Sequence, residues 1–175
     1  MKMMLTVTLL VCAMMALSSA AVPKAEPAER TEDPFKEMRD NPIVKRSTCP
    51  RGWTALNGRC LNYFATPKTW AEAEKHCLSL GGNLASVHSS QEYHDIQMTI
   101  WIRTHSYPQT WLGGYDVAQE GVWFWTDGTP KEFTYWSFGQ PNRSGYCLVM
   151  NFGGLKRFDD QPCSLRRPFV CAKKP

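Results

Sequence analysis

The chain has 175 residues, enough for one domain of common size after a leader and a linker, and too few for two such domains. Its net charge of +4 is modest, with 20 lysine and arginine residues against 16 acidic ones. This balance lacks the strongly basic character of nucleic-acid-binding domains, so we expect no nucleic-acid partner.

The first twenty residues have the pattern of a secretory signal peptide. Lys2 precedes an apolar core from Leu5 to Leu17, and small residues follow as far as Ala20. The core is short for a membrane span, and the small residues suit a signal peptidase. No other stretch is apolar enough to cross a bilayer. We therefore predict a signal peptide over 1–20 and a secreted, extracellular protein that does not span the membrane.

Residues 21–46 mix Ala, Pro, Glu, Lys and Arg with few large apolar side chains. Such a composition buries too little surface to offset the entropy of ordering the chain. We predict a disordered linker or propeptide over 21–46 and one folded domain over 47–175. Cys12 belongs to the leader, which leaves the domain an even number of cysteines. Secretion permits their oxidation, but arithmetic alone leaves the pairing open.

Two helices are predicted early in the domain. Thr69 and Glu72 have the spacing of a capping box, and apolar residues then recur with helical period as far as the glycine pair at 81–82. Ser89 and Glu92 form a second capping box at the start of another helix.

The strand signals surround and follow these helices. Residues 83–87 alternate as a strand does, and short apolar runs broken by turn residues follow at 110–113, 122–125, 147–151 and 169–172. Helices that come early and strands that come late indicate an α+β domain with helices beside an antiparallel sheet. We expect most of the tryptophans, including Trp123 and Trp125, to fill its core.

The order of cysteines, tryptophans and glycines resembles that of a known family. The matching segments are Cys49-Pro50-Arg51-Gly52-Trp53, Cys60, Cys77, Trp111-Leu112-Gly113-Gly114, Trp123-Phe124-Trp125-Thr126-Asp127-Gly128, Gln140-Pro141-Asn142, Cys147, Cys163 and Cys171. This series resembles the long-form C-type lectin-like domain, and the leader resembles those of fish secreted lectins and type II antifreeze proteins. The resemblance implies two helices flanking antiparallel sheets, a long ligand-binding loop region and three disulfides. These are Cys49–Cys60, Cys77–Cys171 and Cys147–Cys163.

In the sugar-binding members of that family, calcium and sugar share one site. The resemblance places the ligand oxygens for calcium on four residues, which are Gln140, Asn142, Asp159 and Asp160. The glutamate that the family carries before the next cysteine is missing, because Gly145 stands there and only four residues separate Asn142 from Cys147. Calcium takes about six to eight oxygen ligands, so we expect its binding to be weak, at about millimolar affinity, or lost.

We expect carbohydrate to bind at the same four residues, with Trp136 and Tyr146 available to stack on a sugar face. The amides on both sides of Pro141 match neither the mannose pattern nor the galactose pattern of the family. Asn142-Arg143-Ser144 is also an N-glycosylation sequon, and a glycan on Asn142 would block the site.

The sequence favours binding over catalysis. The histidines fit no zinc-protease or serine-hydrolase motif, and Asp159 and Asp160 are strand neighbours that point to opposite faces. The leading hypothesis is a non-enzymatic secreted lectin that binds glycans or glycoproteins, for example in innate defence.

Two alternatives remain open. One is a calcium-independent protein that binds a protein or an anionic surface through its late basic residues. These are Lys156, Arg157, Arg166, Arg167, Lys173 and Lys174. The other is ice binding, which ranks lower because the type II antifreeze proteins that this domain resembles carry more cysteines.

Overall fold

The structure is a computed structural model that describes residues 49–175. The predicted signal peptide, the predicted linker and the first two residues of the predicted domain lie outside the described residues. None of the helices in the described part is long and apolar enough to cross a membrane. The strands are β1 Thr54–Leu56, β2 Arg59–Lys68, β3 Asn83–Leu84, β4 Thr110–Tyr115, β5 Phe124–Trp125, β6 Cys147–Phe152, β7 Arg157–Gln161 and β8 Arg167–Lys173. The helices are α1 Trp70–Ser79 and α2 Ser90–Thr104.

The eight strands form one sheet. Its path runs β1-β2-β8-β4-β6-β7, with β3 paired to β8 and β5 paired to β4. The pairings are antiparallel except between β4 and β8, where Trp111 pairs with Phe169 in parallel. The predicted α+β class with two helices is confirmed. The strand predicted over 83–87 is shorter than expected, since β3 comprises only Asn83 and Leu84. The Ala85 backbone still bonds to Val170 and Gly113 of the neighbouring strands, and the Ser86 side chain joins a polar cluster.

The first capping box is confirmed and the second is only half formed. At α1 the Thr69 hydroxyl accepts from the Glu72 N–H at 3.3 Å, and the Glu72 carboxylate accepts from the Thr69 N–H at 3.0 Å. At α2 Ser89 caps Glu92 in the same way. The Glu92 carboxylate, however, pairs with Arg59 and accepts the His88 N–H, so a tertiary ion pair replaces the reciprocal bond.

The three disulfides implied by the resemblance are confirmed as Cys49–Cys60, Cys77–Cys171 and Cys147–Cys163. Two apolar clusters are buried in the domain. One includes residues of α2 and contains Tyr93, Ile96, Ile100, Leu112, Trp125, Leu148 and Phe158. The other includes residues of α1 and contains Ala73, Cys77, Leu84, Trp111, Cys147, Val149, Phe169 and Cys171. Trp125 is buried and Trp123 packs against the first cluster, which confirms their expected place in the core.

The long loop from residue 126 to residue 146 contains no helix or strand and rests on the first cluster. The ammonium of Lys131 lies within it, 5.4, 5.6 and 5.3 Å from the ring centroids of Trp125, Trp136 and Phe158. Burial lowers the pKa of Lys131 to about 8. The aromatic rings offset part of this desolvation because their faces attract a cation.

Candidate ligand-binding loop

The segment from Gln140 to Tyr146 is fastened to the sheet by one buried carboxylate. Oδ1 of Asp160 accepts the N–H of Asn142 at 2.8 Å, and Oδ2 accepts the N–H of Gly145 at 3.1 Å. The Ser144 hydroxyl adds a bond of 2.7 Å to the Asp160 carbonyl oxygen. Hydrogen bonds to an ionised acceptor are among the stronger ones in proteins. Asp160 therefore holds this segment, here called the 140–146 loop, against the sheet.

Gly145 lets the loop lie directly on the sheet. A Cβ at this position would overlap the carbonyl group of Gln161 and the nitrogen of Pro162. Because these atoms belong to the backbone, they cannot move aside as a flexible side chain would. The place where the resemblance expects a glutamate is thus closed to every side chain.

Asp159 and Asp160 serve different faces of β7, as the alternation of a strand predicts. Asp159 pairs in register with Val149 of the second apolar cluster, whereas Asp160 pairs with Leu148 of the first. The Asp159 carboxylate accepts from the side-chain amide of Gln161. Burial raises the pKa of Asp159 above its usual value. The two carboxylates therefore do not converge on one point.

The four predicted calcium ligands do not fit a calcium ion in this arrangement. Asn142 Oδ1 accepts the Ser144 N–H at 2.9 Å, and both Asp160 oxygens accept backbone amides. Gln140 Oε1 is buried without a partner, as is Asp159 Oδ1. A calcium cage needs about six to eight converging oxygens. Among residues 49–175, no group of three or more His, Cys, Asp or Glu residues is placed to hold a metal ion.

The surface of the loop carries polar and aromatic groups side by side. Asn142 is exposed, Gln140 is partly exposed, and Tyr146 is 51 % exposed. Trp136 behaves differently, since its ring centroid lies 5.0 Å from that of Trp123 and 5.9 Å from that of Phe158. Of the two rings predicted to stack on a sugar, Tyr146 is the more accessible.

Two acidic residues that sequence reasoning did not single out also support the loop. The Asp116 N–H donates to the Tyr146 carbonyl oxygen at 3.2 Å, and Glu120 forms an ion pair of 2.9 Å with Arg143. Burial raises the pKa of Asp116, and the charges of Asp160 and Glu120 add to the effect. The sequence shows only that Asp116 and Glu120 follow β4. Their partners, Tyr146 and Arg143, are distant along the chain, so no local pattern predicts these contacts.

Ser86, His88 and Asp127 meet in a cluster whose composition resembles that of a hydrolase triad. The buried Ser86 hydroxyl donates to Asp127 and accepts from Arg59 at 2.7 Å. Its single proton is thereby used, so His88 Nε2, 3.0 Å away, is assigned as a donor to Ser86. A histidine in that role cannot act as the base that activates a serine. The cluster instead joins β2 to the start of the long loop.

The late basic residues do not form one free patch. Arg166 pairs with Glu72 at 3.1 Å, and the Arg167 guanidinium lies 5.6 Å from the Trp111 ring centroid. The Lys173 ammonium lies 4.3 Å from the centroid of the Trp53 ring. These three side chains are thus engaged in separate contacts.

The sequence is similar to a known protein family and to several of its members. A family model described as the lectin C-type domain matches residues 66–173. Ladderlectin of Oncorhynchus mykiss is 38% identical over 167 residues, which are 91% of this chain and 88% of that protein. A type-2 ice-structuring protein of Hemitripterus americanus is 40% identical over 173 residues, which are 97% of this chain and 98% of that protein. The galactose-specific lectin nattectin of Thalassophryne nattereri is 38% identical, and the match covers 75% of this chain and 85% of that protein.

Solved structures show the same relationship. The herring type II antifreeze protein superposes with a TM-score of 0.69 at 32% identity, covering 73% of this chain and 99% of that one. A calcium-independent type II antifreeze protein superposes with a TM-score of 0.63 at 37% identity, covering 73% of this chain and 95% of that one. The match thus extends to the arrangement of the described domain in space.

Proposed function

This chain belongs to the family of the lectin C-type domain, and we propose that it is a secreted, non-enzymatic binding protein whose ligand is a glycan held at the 140–146 loop. The observation that carries the proposal is the pairing of exposed amide and aromatic groups on a loop that a buried carboxylate holds rigid. One relative with 38% identity is a galactose-specific lectin, which supports a carbohydrate as the ligand class.

The chemistry of the loop suits sugar hydroxyls. A side-chain amide both donates and accepts hydrogen bonds, so the exposed Asn142 can bind hydroxyl groups of either polarity. Gln140, whose Oε1 is buried, can only donate. The partly exposed ring of Tyr146 offers an apolar face for the C–H groups of a sugar. Because Asp160 holds the loop, little of the binding energy is spent on ordering it.

We propose that glycan binding does not require calcium. The support is that both oxygens of Asp160 accept backbone amides and that Asp159 faces the other side of β7. A calcium effect at millimolar concentration is the contrasting outcome, since the sequence predicts calcium binding that is either weak or lost.

A glycan array with and without a calcium chelator tests this proposal, on protein collected from the medium of eukaryotic cells. Two variants remove the sequon in different ways. Asn142→Gln alters the proposed contact, whereas Ser144→Ala keeps Asn142 and loses only the bond from the Ser144 hydroxyl to the Asp160 carbonyl oxygen. We expect Ser144→Ala to bind sugar at least as well as the natural chain, and Asn142→Gln to lose binding. If Ser144→Ala, which carries no glycan at Asn142, binds no glycan at any calcium concentration, the proposal is contradicted.

The same pair of variants separates the two uses of Asn142. If the secreted natural chain carries a glycan on Asn142, enzymatic deglycosylation lowers its mass. Ser144→Ala then binds sugar more tightly than the natural chain does. If Asn142 carries no glycan, deglycosylation leaves the mass of the natural chain unchanged, and Ser144→Ala and the natural chain bind sugar with the same affinity. Either result identifies which function of the sequon the molecule uses.

Ice binding is the second candidate function. Its support is the 40% identity over 97% of the chain with a type-2 ice-structuring protein. Thermal hysteresis measured on the purified protein checks it directly. A freezing point depressed only as far as a lectin of equal concentration depresses it would remove this candidate.

A further inference from the structure

One turn in the long loop displays a phenylalanine that contacts almost nothing. Phe138 is 99 % exposed. The turn is closed by the Gln140 N–H, which donates to the Ser137 carbonyl oxygen at 3.0 Å. Gly139 has the φ of +76° that the third position of a type II turn requires. Phe138 is therefore presented by an ordered turn, and its exposure does not come from a frayed segment.

A second turn next to the first also exposes an apolar side chain. Residues 153–156 form the turn between β6 and β7, and Leu155 in it is 65 % exposed. The bases of the two turns touch, since the Ser137 hydroxyl donates to the Phe152 carbonyl oxygen at 3.2 Å. We call the turns 137–140 and 153–156 the two-turn surface.

The second turn is held as firmly as the first. The Lys156 carbonyl oxygen accepts from the Tyr93 hydroxyl and from the Gln97 amide, both on α2. These bonds anchor the backbone of Lys156, while its side chain is exposed beside Leu155. Two apolar tips and a cation thus project from a rigid base.

The chain segment that carries the two-turn surface contains basic residues but no acidic ones, although Arg143 pairs with Glu120 from outside the segment. From Ser137 to Phe158 the chain contains Arg143, Lys156 and Arg157 and no aspartate or glutamate. The described part as a whole is nearly balanced, with thirteen Lys and Arg against ten Asp and Glu. Lys156 is thus an exposed cation directly beside an exposed apolar tip, Leu155.

We propose that the two-turn surface docks on a lipid bilayer that contains anionic lipids. Protruding apolar side chains gain free energy when they enter the acyl boundary, and flanking cations are attracted to anionic headgroups. A bilayer needs no matching shape, whereas a protein partner would need a broader complementary surface than two side chains offer. Docking in this pose brings Gln140, the residue that ends the first turn, to the membrane surface.

Vesicle sedimentation tests this proposal without any sugar, so its result is independent of glycan binding. The protein collected from the medium of eukaryotic cells is mixed with vesicles of phosphatidylcholine, either pure or containing phosphatidylserine. We expect binding to the mixed vesicles that weakens with added salt. The double variant Phe138→Ser, Leu155→Ser should bind at least about tenfold more weakly, because both apolar contacts are lost.

A charge variant separates the electrostatic part. Lys156→Asn suits the left-handed backbone at this position, where φ is +54°. It should weaken binding to mixed vesicles about fivefold and leave binding to pure phosphatidylcholine unchanged. The matched controls Leu78→Gln and Lys75→Gln alter an exposed apolar residue and an exposed cation on α1, and they should bind as the natural chain does.

Three results would overturn the proposal. The natural chain could fail to sediment with mixed vesicles, or the double variant could sediment with them equally well while keeping the natural melting temperature. In the third, ultracentrifugation would find the natural chain dimeric and the double variant monomeric, which assigns the two-turn surface to a second copy of the chain.

Discussion

The sheet beneath α1 and the long loop above α2 are held together by different kinds of interaction. The first region has strand ladders and a disulfide that joins α1 to β8. The second lacks regular structure from residue 126 to residue 146 and depends on one carboxylate, one glycine and a cluster of aromatic rings. The disulfide of the first region joins segments 94 residues apart along the chain, whereas the Asp160 anchor of the second joins one loop to the neighbouring strand. We therefore expect mutations to act globally in the first region and locally in the second.

Removal of the disulfide of the first region should lower the free energy of unfolding more than any other change considered below. In the variant Cys77→Ala, Cys171→Ala, the lost bridge spans 94 residues. The chain-entropy model assigns such a loop about 4.5 kcal/mol of the free energy of unfolding. Guanidinium unfolding followed by tryptophan fluorescence measures the loss.

The control for that variant is Cys49→Ala, Cys60→Ala, whose bridge spans 11 residues. Its loss should cost about 3 kcal/mol by the same model. Equal losses from the two variants would mean that loop length does not set the stabilisation here.

Gly145→Ala should have the next largest effect. The added methyl overlaps backbone atoms of Gln161 and Pro162, so the 140–146 loop must move away from β7. Overpacking of this kind costs about 1–3 kcal/mol. The matched control is Gly154→Ala, since a Cβ there meets no atom within 4 Å. Chemical unfolding gives the cost, and amide exchange at residues 142–145 locates it. An unchanged exchange pattern would contradict the proposed role of Gly145.

Asp160→Asn tests the carboxylate anchor itself. An asparagine can accept from one of the two amides but turns its own N–H toward the other, so we expect a loss of about 1–2 kcal/mol. Faster amide exchange at Asn142 and Gly145 should accompany it, with or without a calcium chelator. Glu132→Gln, on an exposed residue of the same loop, serves as the control. If the loss appears only when calcium is present, the carboxylate is a metal ligand instead.

Asp116→Asn should give the smallest effect, of opposite sign. Burial and then the charges of Asp160 and Glu120 raise the pKa of Asp116, so its ionised form opposes folding. The asparagine still accepts the Gly121 N–H, and the variant should be more stable at pH 7 by less than about 1 kcal/mol. This gain should disappear as the pH falls through the raised pKa of Asp116, where the natural residue is also neutral. Melting temperatures between pH 7 and pH 3 measure it, and a gain that persists at pH 3 would have another cause.

The elements that sequence reasoning located are those with local or repeated signals. The first helix has its capping box at Thr69 and Glu72, and the cysteines and tryptophans occur in an order that pointed to the family and its disulfides. The second capping box is incomplete for a tertiary reason, because the Glu92 carboxylate forms an ion pair with Arg59. The strand expected over 83–87 covers only Asn83 and Leu84, and the partner of the Ser86 side chain is Asp127, 41 residues away along the chain.

For the candidate site, the sequence by itself determined which residue types stand at 140, 142, 145, 159 and 160, and thus that a glutamate is missing. Only the tertiary structure decided that Asp160 accepts two loop amides while Asp159 faces the opposite side of β7. It also decided that Phe138 and Leu155, far apart along the chain, project from adjacent turns. The physical reason is that a side chain's partner depends on which distant atoms the fold brings within hydrogen-bonding reach, and no local pattern encodes that distance.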